Sequence, residues 1–268
     1  MKSIVLVNGE VSDGMVPVTD SSVLRGDGCF EVMMAYGGVV FAVDEHLARL
    51  ERSAAALKIP LPDRDQIALW VDQVSNGMGD VAVRVVVTRG SAIPGEPGDP
   101  MVIVFAHPSP PPAGPARLFP VTAPWHGAGE KWALAGAKIL SYAPNLSSTR
   151  LAIENGFDDA LLISSDGTML EGPTFSVAWV VDGVLETPTL DLGILDSITR
   201  RLVLEDAVAL GITLVEGRWP LQRLGDASEV MALSTTREVQ PVSAIGDRQF
   251  GEGPVTSHLA RSFSQRLG

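Results

Sequence analysis

The residue of this chain best suited to covalent chemistry is Lys138, in the run Ala137-Lys138-Ile139-Leu140-Ser141-Tyr142-Ala143-Pro144-Asn145. The chain has only four lysines, Lys2, Lys58, Lys131 and Lys138, and takes most of its positive charge from arginine. Burial disfavours an ammonium, so a lysine among Ala, Ile and Leu side chains is disposed to present the neutral amine that forms a Schiff base with a carbonyl. The competing reading is a lysine that snorkels from a strand edge, its stem buried and its charge in water.

Other polar features are dispersed along an otherwise apolar second half. They are Tyr142, Glu171 at the end of a predicted strand, a predicted helix start at Ser197-Ile198-Thr199, and the loop Ser234-Thr235-Thr236. Together they meet the needs of pyridoxal phosphate. Its aldehyde requires a lysine, its ring nitrogen an acid that keeps it protonated, and its phosphate a set of backbone N–H groups and hydroxyls. Singly, each has a plainer reading: a solvated turn carboxylate, a helix cap, a polar loop. Other chemistries lack their residues. There is no P-loop, no GxGxxG after a strand, no HExxH and no GxSxG. His46, His107, His126 and His258 are scattered without metal-ligand spacing and read as ordinary polar residues, so no metal is expected. Cys29 is the only cysteine, which leaves no intrachain disulfide and no CxxC zinc cluster, and it reads as a plain buried thiol.

The elements that must position these groups come from a chain of 268 residues, 46% hydrophobic and 19% charged, at the size where one core divides into two lobes. A net charge of -12 argues against a nucleic-acid partner. Residues 1 to 108 carry 14 acidic and 8 basic side chains and the remainder 18 and 12, so each part stands at -6 and hides no basic stripe. No apolar run reaches the length of a membrane span, the first ten residues read as a strand entering a turn, and a cytoplasmic location is expected.

In chain order, residues 3 to 7 predict a strand with a turn at Asn8-Gly9. Residues 25 to 43 predict a glycine turn, a strand, a Gly37-Gly38 turn and a second strand. Asp44 is expected to cap a helix with Leu47, Leu50, Ala54 and Leu57 on one face and His46, Arg49 and Ser53 on the next. Pro60 and Pro62 end it, and a second helix begins over 65 to 74. Strands follow at 81–88 and 101–106, separated by a Gly/Pro-rich loop at 90–100. The proline-rich run 108–115 reads as a linker, giving an N-terminal domain over 1–108, a linker over 109–117 and a C-terminal domain over 118–268. There, strands are expected at 118–121, 160–163, 169–171, 177–181 and 230–233. Helices are expected at 144–155, from Asp196 or Ser197 to Leu210, and at 254–266.

The order of several segments resembles the class IV aminotransferase family, the fold type IV pyridoxal-phosphate enzymes. They are Gly26-Asp27-Gly28-Cys29-Phe30-Glu31, Glu45-His46-Leu47-Ala48-Arg49-Leu50 with Ser53, Thr88-Arg89-Gly90, Lys138 to Asn145, Glu171-Gly172-Pro173, Ile194 to Arg200, and Glu238-Val239-Gln240-Pro241-Val242. The family includes branched-chain and D-amino-acid aminotransferases, R-selective amine transaminases and 4-amino-4-deoxychorismate lyases. The resemblance implies an α+β fold of two domains, a small N-terminal α/β domain and a larger C-terminal β-barrel-like domain with helices, assembled as a homodimer. It implies that Lys138 carries pyridoxal 5'-phosphate and shuttles a proton, that Tyr142 faces the ring's phenolic oxygen, and that Glu171 pairs with the ring nitrogen. Arg49, Ile198, Thr199 and Thr235 are the implied phosphate ligands.

The substrates so implied are a small-molecule amino donor and a 2-oxo acid acceptor. The alternative is a lyase that releases pyruvate from aminodeoxychorismate in folate synthesis. This chain departs from the family pattern after Glu171-Gly172, where Pro173, Thr174, Phe175 and Ser176 replace a serine run and asparagine. It also lacks the Arg-x-His after Thr88-Arg89-Gly90. Arg25 and Arg237, with Thr236, are the candidates for a substrate carboxylate. Phe30, Met33, Met34 and Trp125 are candidates for pocket wall or core.

Overall fold

A computed structural model describes residues 4–93 and 98–267. Ser3 of the expected first strand and residues 94–97 of the expected loop lie outside the described residues. The chain divides into two compact units, Met1–Pro110 with Ala137–Tyr142, and Pro111–Gly136 with Ala143–Gly268. The division falls inside the proline-rich run, between Pro110 and Pro111, and residues 137–142 group with the first unit.

The first unit contains β1 (Val5–Val7), β2 (Glu10–Ser12), α1 (Ser21–Arg25), β3 (Gly28–Tyr36), β4 (Val39–Val40), α2 (Val43–Leu57), α3 (Arg64–Ser75), β5 (Val81–Thr88) and β6 (Val102–Pro108). Its six strands form one antiparallel sheet in the order β2-β1-β6-β5-β3-β4. The β-branched run of β5 fits a buried centre strand. Asn8 and Gly9, both at positive φ, make the predicted two-residue turn. Leu47, Leu50 and Ala54 of α2 pack into the sheet's core with Cys29, Met33 and Val85. Each buried leucine contributes about 1.5–3 kcal/mol. Asp44 is not the cap of α2. The helix begins one residue before it, at Val43 after a left-handed Ala42, and Asp44 and Glu45 act instead as first-turn charges that complement the helix dipole.

The second unit contains β7 (Ala116–Thr122), α4 (Ala143–Glu154), β8 (Asp159–Ile163), β9 (Ser176–Val181), β10 (Val184–Pro188), α5 (Ile198–Ala209), β11 (Leu214–Gly217), β12 (Glu229–Ser234), β13 (Glu238–Ile245), β14 (Arg248–Gln249) and α6 (Pro254–Gln265). Its mixed sheet has the order β11-β10-β9-β12-β13-β7-β8, with β14 on β13. The pairs β10–β11, β13–β7 and β7–β8 are parallel, the others antiparallel. Trp179, Phe175, Leu161 and Val230 fill one core. The sequence reading does not anticipate β10, β11, β13 and β14. Three of these follow turns or lie near the sheet's rim, and β13 carries Pro241 and polar residues in place of an apolar run. Among the described residues, no helix is long and apolar enough to cross a membrane.

Candidate active site

Within the first unit, Lys138 is held from two sides. Its N–H donates to Ser53 Oγ at 3.0 Å, and its carbonyl accepts the N–H of Phe30 at 3.1 Å. Leu140 N–H donates to Gly28 O, and Ile139 bridges Cys29, so residues 138–140 run along the start of β3. Gly28 is required there: a Cβ would stand 2.3 Å from Val87 O and 2.6 Å from Leu140 Cδ1. The Lys138 side chain is mostly buried. Its Nζ lies 3.3 Å from Tyr142 Oη and 4.3 Å from the centre of the Phe30 ring, which meets Tyr142 edge-on at 5.1 Å. An amine between a phenol and an aromatic face is shielded from water yet has a group with which to exchange a proton.

The polar face of α2 supplies the rest. Ser53 donates to Arg49 O at 3.0 Å, so one hydroxyl ties the lysine's main chain to the arginine's turn. Arg49 grips Glu31 of β3 with two bonds, Nε to Oε1 at 2.7 Å and Nη2 to Oε2 at 2.8 Å, and His46 Nδ1 stands 2.9 Å from Oε2. Glu31 has no solvent exposure. Burial pushes its carboxyl up, but the charge and bonds of Arg49, aided by His46, outweigh this and hold it down at about 2. Desolvation lowers the pKa of His46 against the pull of Glu31. Burial, with Glu31's charge adding to it, pushes the Cys29 thiol up to about 12, leaving an inert side chain. Met33 and Met34 are core residues. Arg25, at the end of α1, is exposed.

The second unit holds the remaining candidates. The main chain of Glu171 is fixed to β8 by Leu162 N–H donating to its carbonyl at 2.9 Å. Its carboxylate accepts Leu195 N–H, with the two oxygens at 3.3 and 3.2 Å, and His126 Nε2 stands 3.9 Å from Oε1. Ser197 caps α5, its Oγ accepting from Arg200 N–H at 3.3 Å. The N–H groups of Ile198 and Thr199 then belong to a first turn that has no intrahelical acceptors for them and no acidic side chain. Both residues are buried. A buried helix start with no acidic side chain in its first turn is an environment for an anion.

Thr235, Thr236 and Arg237 form the turn between β12 and β13, closed by Arg237 N–H on Ser234 O at 3.2 Å. The guanidinium of Arg237 is engaged by Asp159 Oδ2 and Gln240 Oε1, each at 2.7 Å, and lies over the Phe175 ring. That partner set makes Arg237 a clamp on the turn. Trp125 is partly exposed and donates to Asn145 Oδ1 at 3.2 Å, while Asn145 Nδ2 donates to Pro173 O at 3.3 Å.

The sequence reading gives no role to Glu31 or His126. The signal for Glu31 is a carboxylate inside an apolar strand, which burial requires to be paired. Nothing local marks His126, whose neighbour is 45 residues away.

A family model described as amino-transferase class IV matches residues 28–245. The chain is 33% identical over 261 residues to a putative branched-chain-amino-acid aminotransferase of Methanocaldococcus jannaschii, covering 94% of this chain and 91% of that one. It is 31% identical to a D-alanine aminotransferase of Bacillus licheniformis (98% and 96% covered) and 27% identical to an aminodeoxychorismate lyase of Bacillus subtilis (98% and 94%). Among solved structures, a fold IV transaminase of Curtobacterium pusillum superposes with a TM-score of 0.88 at 30% identity over 99% of both chains. A hypothetical aminotransferase of Mycobacterium tuberculosis in its PLP-bound form gives 0.89 at 26% identity over 98% of both. On this match and these relatives, the chain belongs to the class IV aminotransferases and has their fold type IV architecture.

Proposed function

We propose that this enzyme is a pyridoxal-phosphate-dependent transaminase that moves an amino group from an amino acid or amine to a 2-oxo acid, with Lys138 as its catalytic residue. The observation that carries the reading is the pinned Lys138, its Nζ 3.3 Å from the Tyr142 hydroxyl and over the Phe30 ring. The donor set fits the cofactor: an amine for the aldehyde, a carboxylate at Glu171 for the ring nitrogen, and a buried helix first turn without acidic side chains for the phosphate. Bound pyridoxal phosphate supplies a ring that draws electrons from the substrate's reacting carbon.

The residues have separate tasks. Lys138 holds the aldehyde and moves a proton at its Nζ, and Tyr142 orients that amine through its hydroxyl. Glu171 carries the negative charge that keeps a pyridine nitrogen protonated. The N–H groups of Ile198 and Thr199, the Thr235 hydroxyl and the Arg49 guanidinium bind the phosphate. Arg49 is ion-paired within the first unit, and that pairing fixes its orientation. Arg25, exposed at the end of α1, and Arg237, whose guanidinium also holds Asp159 and Gln240, are the two candidates for a substrate carboxylate, with Phe30 and Thr236 as further substrate contacts. The homodimer implied by the family resemblance belongs to the same proposal and is tested by light scattering; the cytoplasmic location expected from the sequence is tested by cell fractionation.

Visible absorbance of the purified protein, lost in Lys138→Ala, tests the cofactor reading, and a colourless protein at saturating cofactor sinks it. Ping-pong kinetics across a panel of donors in both enantiomers establishes the substrate class. The similarity to the Bacillus subtilis enzyme favours a second reading as a lyase, for which pyruvate is released from aminodeoxychorismate with no amino acceptor present.

A further inference from the structure

His126 lies in a turn that fixes its ring. Its own N–H donates to Ala123 O at 3.0 Å, and the N–H of Ala128, a residue in the left-handed region at φ 47, donates to His126 Nδ1 at 3.2 Å. A nitrogen that accepts a hydrogen bond carries no proton, so the neutral ring bears its hydrogen on Nε2. That atom faces Glu171 Oε1 at 3.9 Å, with both side chains only 15% exposed. Burial lowers the pKa of His126, which favours the neutral ring at neutral pH. Both oxygens of the carboxylate, Oε1 included, share the Leu195 N–H at 3.3 and 3.2 Å. The imidazole is about 1 Å beyond hydrogen-bond length and acts across that gap as an oriented dipole.

We propose that His126 is a positioning residue for Glu171, a neutral ring whose Nε2–H dipole orients the carboxylate without cancelling its charge. The inference rests on the reading of Glu171 as partner of the cofactor ring nitrogen. A cation in the same place would compete with a protonated ring nitrogen for the carboxylate. A neutral donor leaves the full negative charge available.

The test has two parts. In the 15N-histidine spectrum of the holoenzyme at neutral pH, the signal that disappears in His126→Gln is expected to show a protonated Nε2 and an accepting Nδ1. The opposite tautomer, or a protonated ring, overturns the inference. In kinetics, His126→Phe is expected to lower kcat about tenfold with less change in KM and to shift the pH dependence of the visible band. His126→Gln, which keeps an N–H donor, is expected to recover most of both. A silent His126→Phe beside a deleterious Glu171→Gln overturns the inference alone. A silent Glu171→Gln overturns the reading on which it rests and the inference with it.

Discussion

The two units fix their candidate groups by different means. In the first, side chains do it: the Glu31 carboxylate, the Arg49 guanidinium, the His46 ring and the Ser53 hydroxyl form a buried set that ends on the main chain of Lys138. In the second, much of the holding falls to peptide groups: Leu195 N–H on Glu171, Leu162 N–H on its carbonyl, and the first turn of α5. A network of buried charges is rigid but fragile, because loss of one member leaves another charge unpaired in low dielectric. Peptide groups cannot be mutated away, so the second unit should lose function under substitution before it loses stability.

The largest expected effect sharpens the comparison on the chemical side. Lys138→Ala is expected to reduce transamination by at least about a thousandfold, the scale of losing a nucleophile that acts within a unit. Its melting temperature should stay near that of the parent, because the bonds to Ser53 and Phe30 are made by the residue's main chain. Activity assays and thermal melts on the same preparation check both halves. A large drop in melting temperature would place the side chain, not the main chain, at the centre of the packing.

Next comes Glu31→Gln, which tests the fragility of the charged network. It leaves Arg49 buried without its counter-charge, and breaking such a pair costs about 3–5 kcal/mol. Denaturant unfolding reads this directly. Glu171→Gln, a comparable change in the second unit, is expected to reduce turnover about a hundredfold or more with a loss of stability under about 1 kcal/mol, since Glu171 keeps some solvent exposure and its carboxylate accepts a peptide N–H. Equal destabilisation by the two variants would break the contrast.

How much of this was legible in the sequence follows from the same contrast. Lys138, Arg49 and Ser53 could be read because side-chain chemistry is written in residue types, and the helical spacing of His46, Arg49 and Ser53 put them on one face. The asymmetry in α2 was less visible: Asp44 looks like a cap, but the left-handed Ala42 starts the helix earlier. Leu195 had no mark at all, because the group that reaches Glu171 is its N–H. In the sequence Arg237 offers a guanidinium for a substrate carboxylate. Its partner Asp159 lies 78 residues away, and only the pairing of β7 with both β8 and β13 brings those segments together. Likewise, 137–142 follow the proline-rich run yet pack in the first unit, a fact that no local pattern encodes.

Acidification separates the contributions of the first unit. Glu31 has a folded pKa depressed to about 2 from 4.5, so its stabilisation is complete above about 4.5 and is lost as pH falls through about 2. The gap in melting temperature between parent and Glu31→Gln is therefore expected to be constant above 4.5 and to close towards pH 2. His46 is also lowered, so protonation favours unfolding as pH falls below 6.5, and His126 in the second unit acts in the same direction. The early step is expected to shrink, not vanish, in His46→Gln. A gap for Glu31→Gln that widens on acidification would reverse the assignment of the charged form to the folded state.

The smallest effect concerns the helix start. Ser197 Oγ satisfies one N–H of α5, that of Arg200, and Ser197→Ala is expected to cost about 1 kcal/mol of stability. The cap also sets the direction in which the N–H groups of Ile198 and Thr199 point, which on the proposed reading is towards the phosphate. Ser197→Ala should therefore weaken pyridoxal phosphate binding while leaving turnover at saturating cofactor close to the parent's. Ser197→Asp separates cap from charge, since it restores the acceptor and adds a negative charge at the same end of the helix. If α5 serves only as a scaffold, Asp repairs stability and cofactor affinity together. If it serves a phosphate, Asp repairs stability and lowers affinity further, an outcome read by parallel denaturant unfolding and cofactor titration.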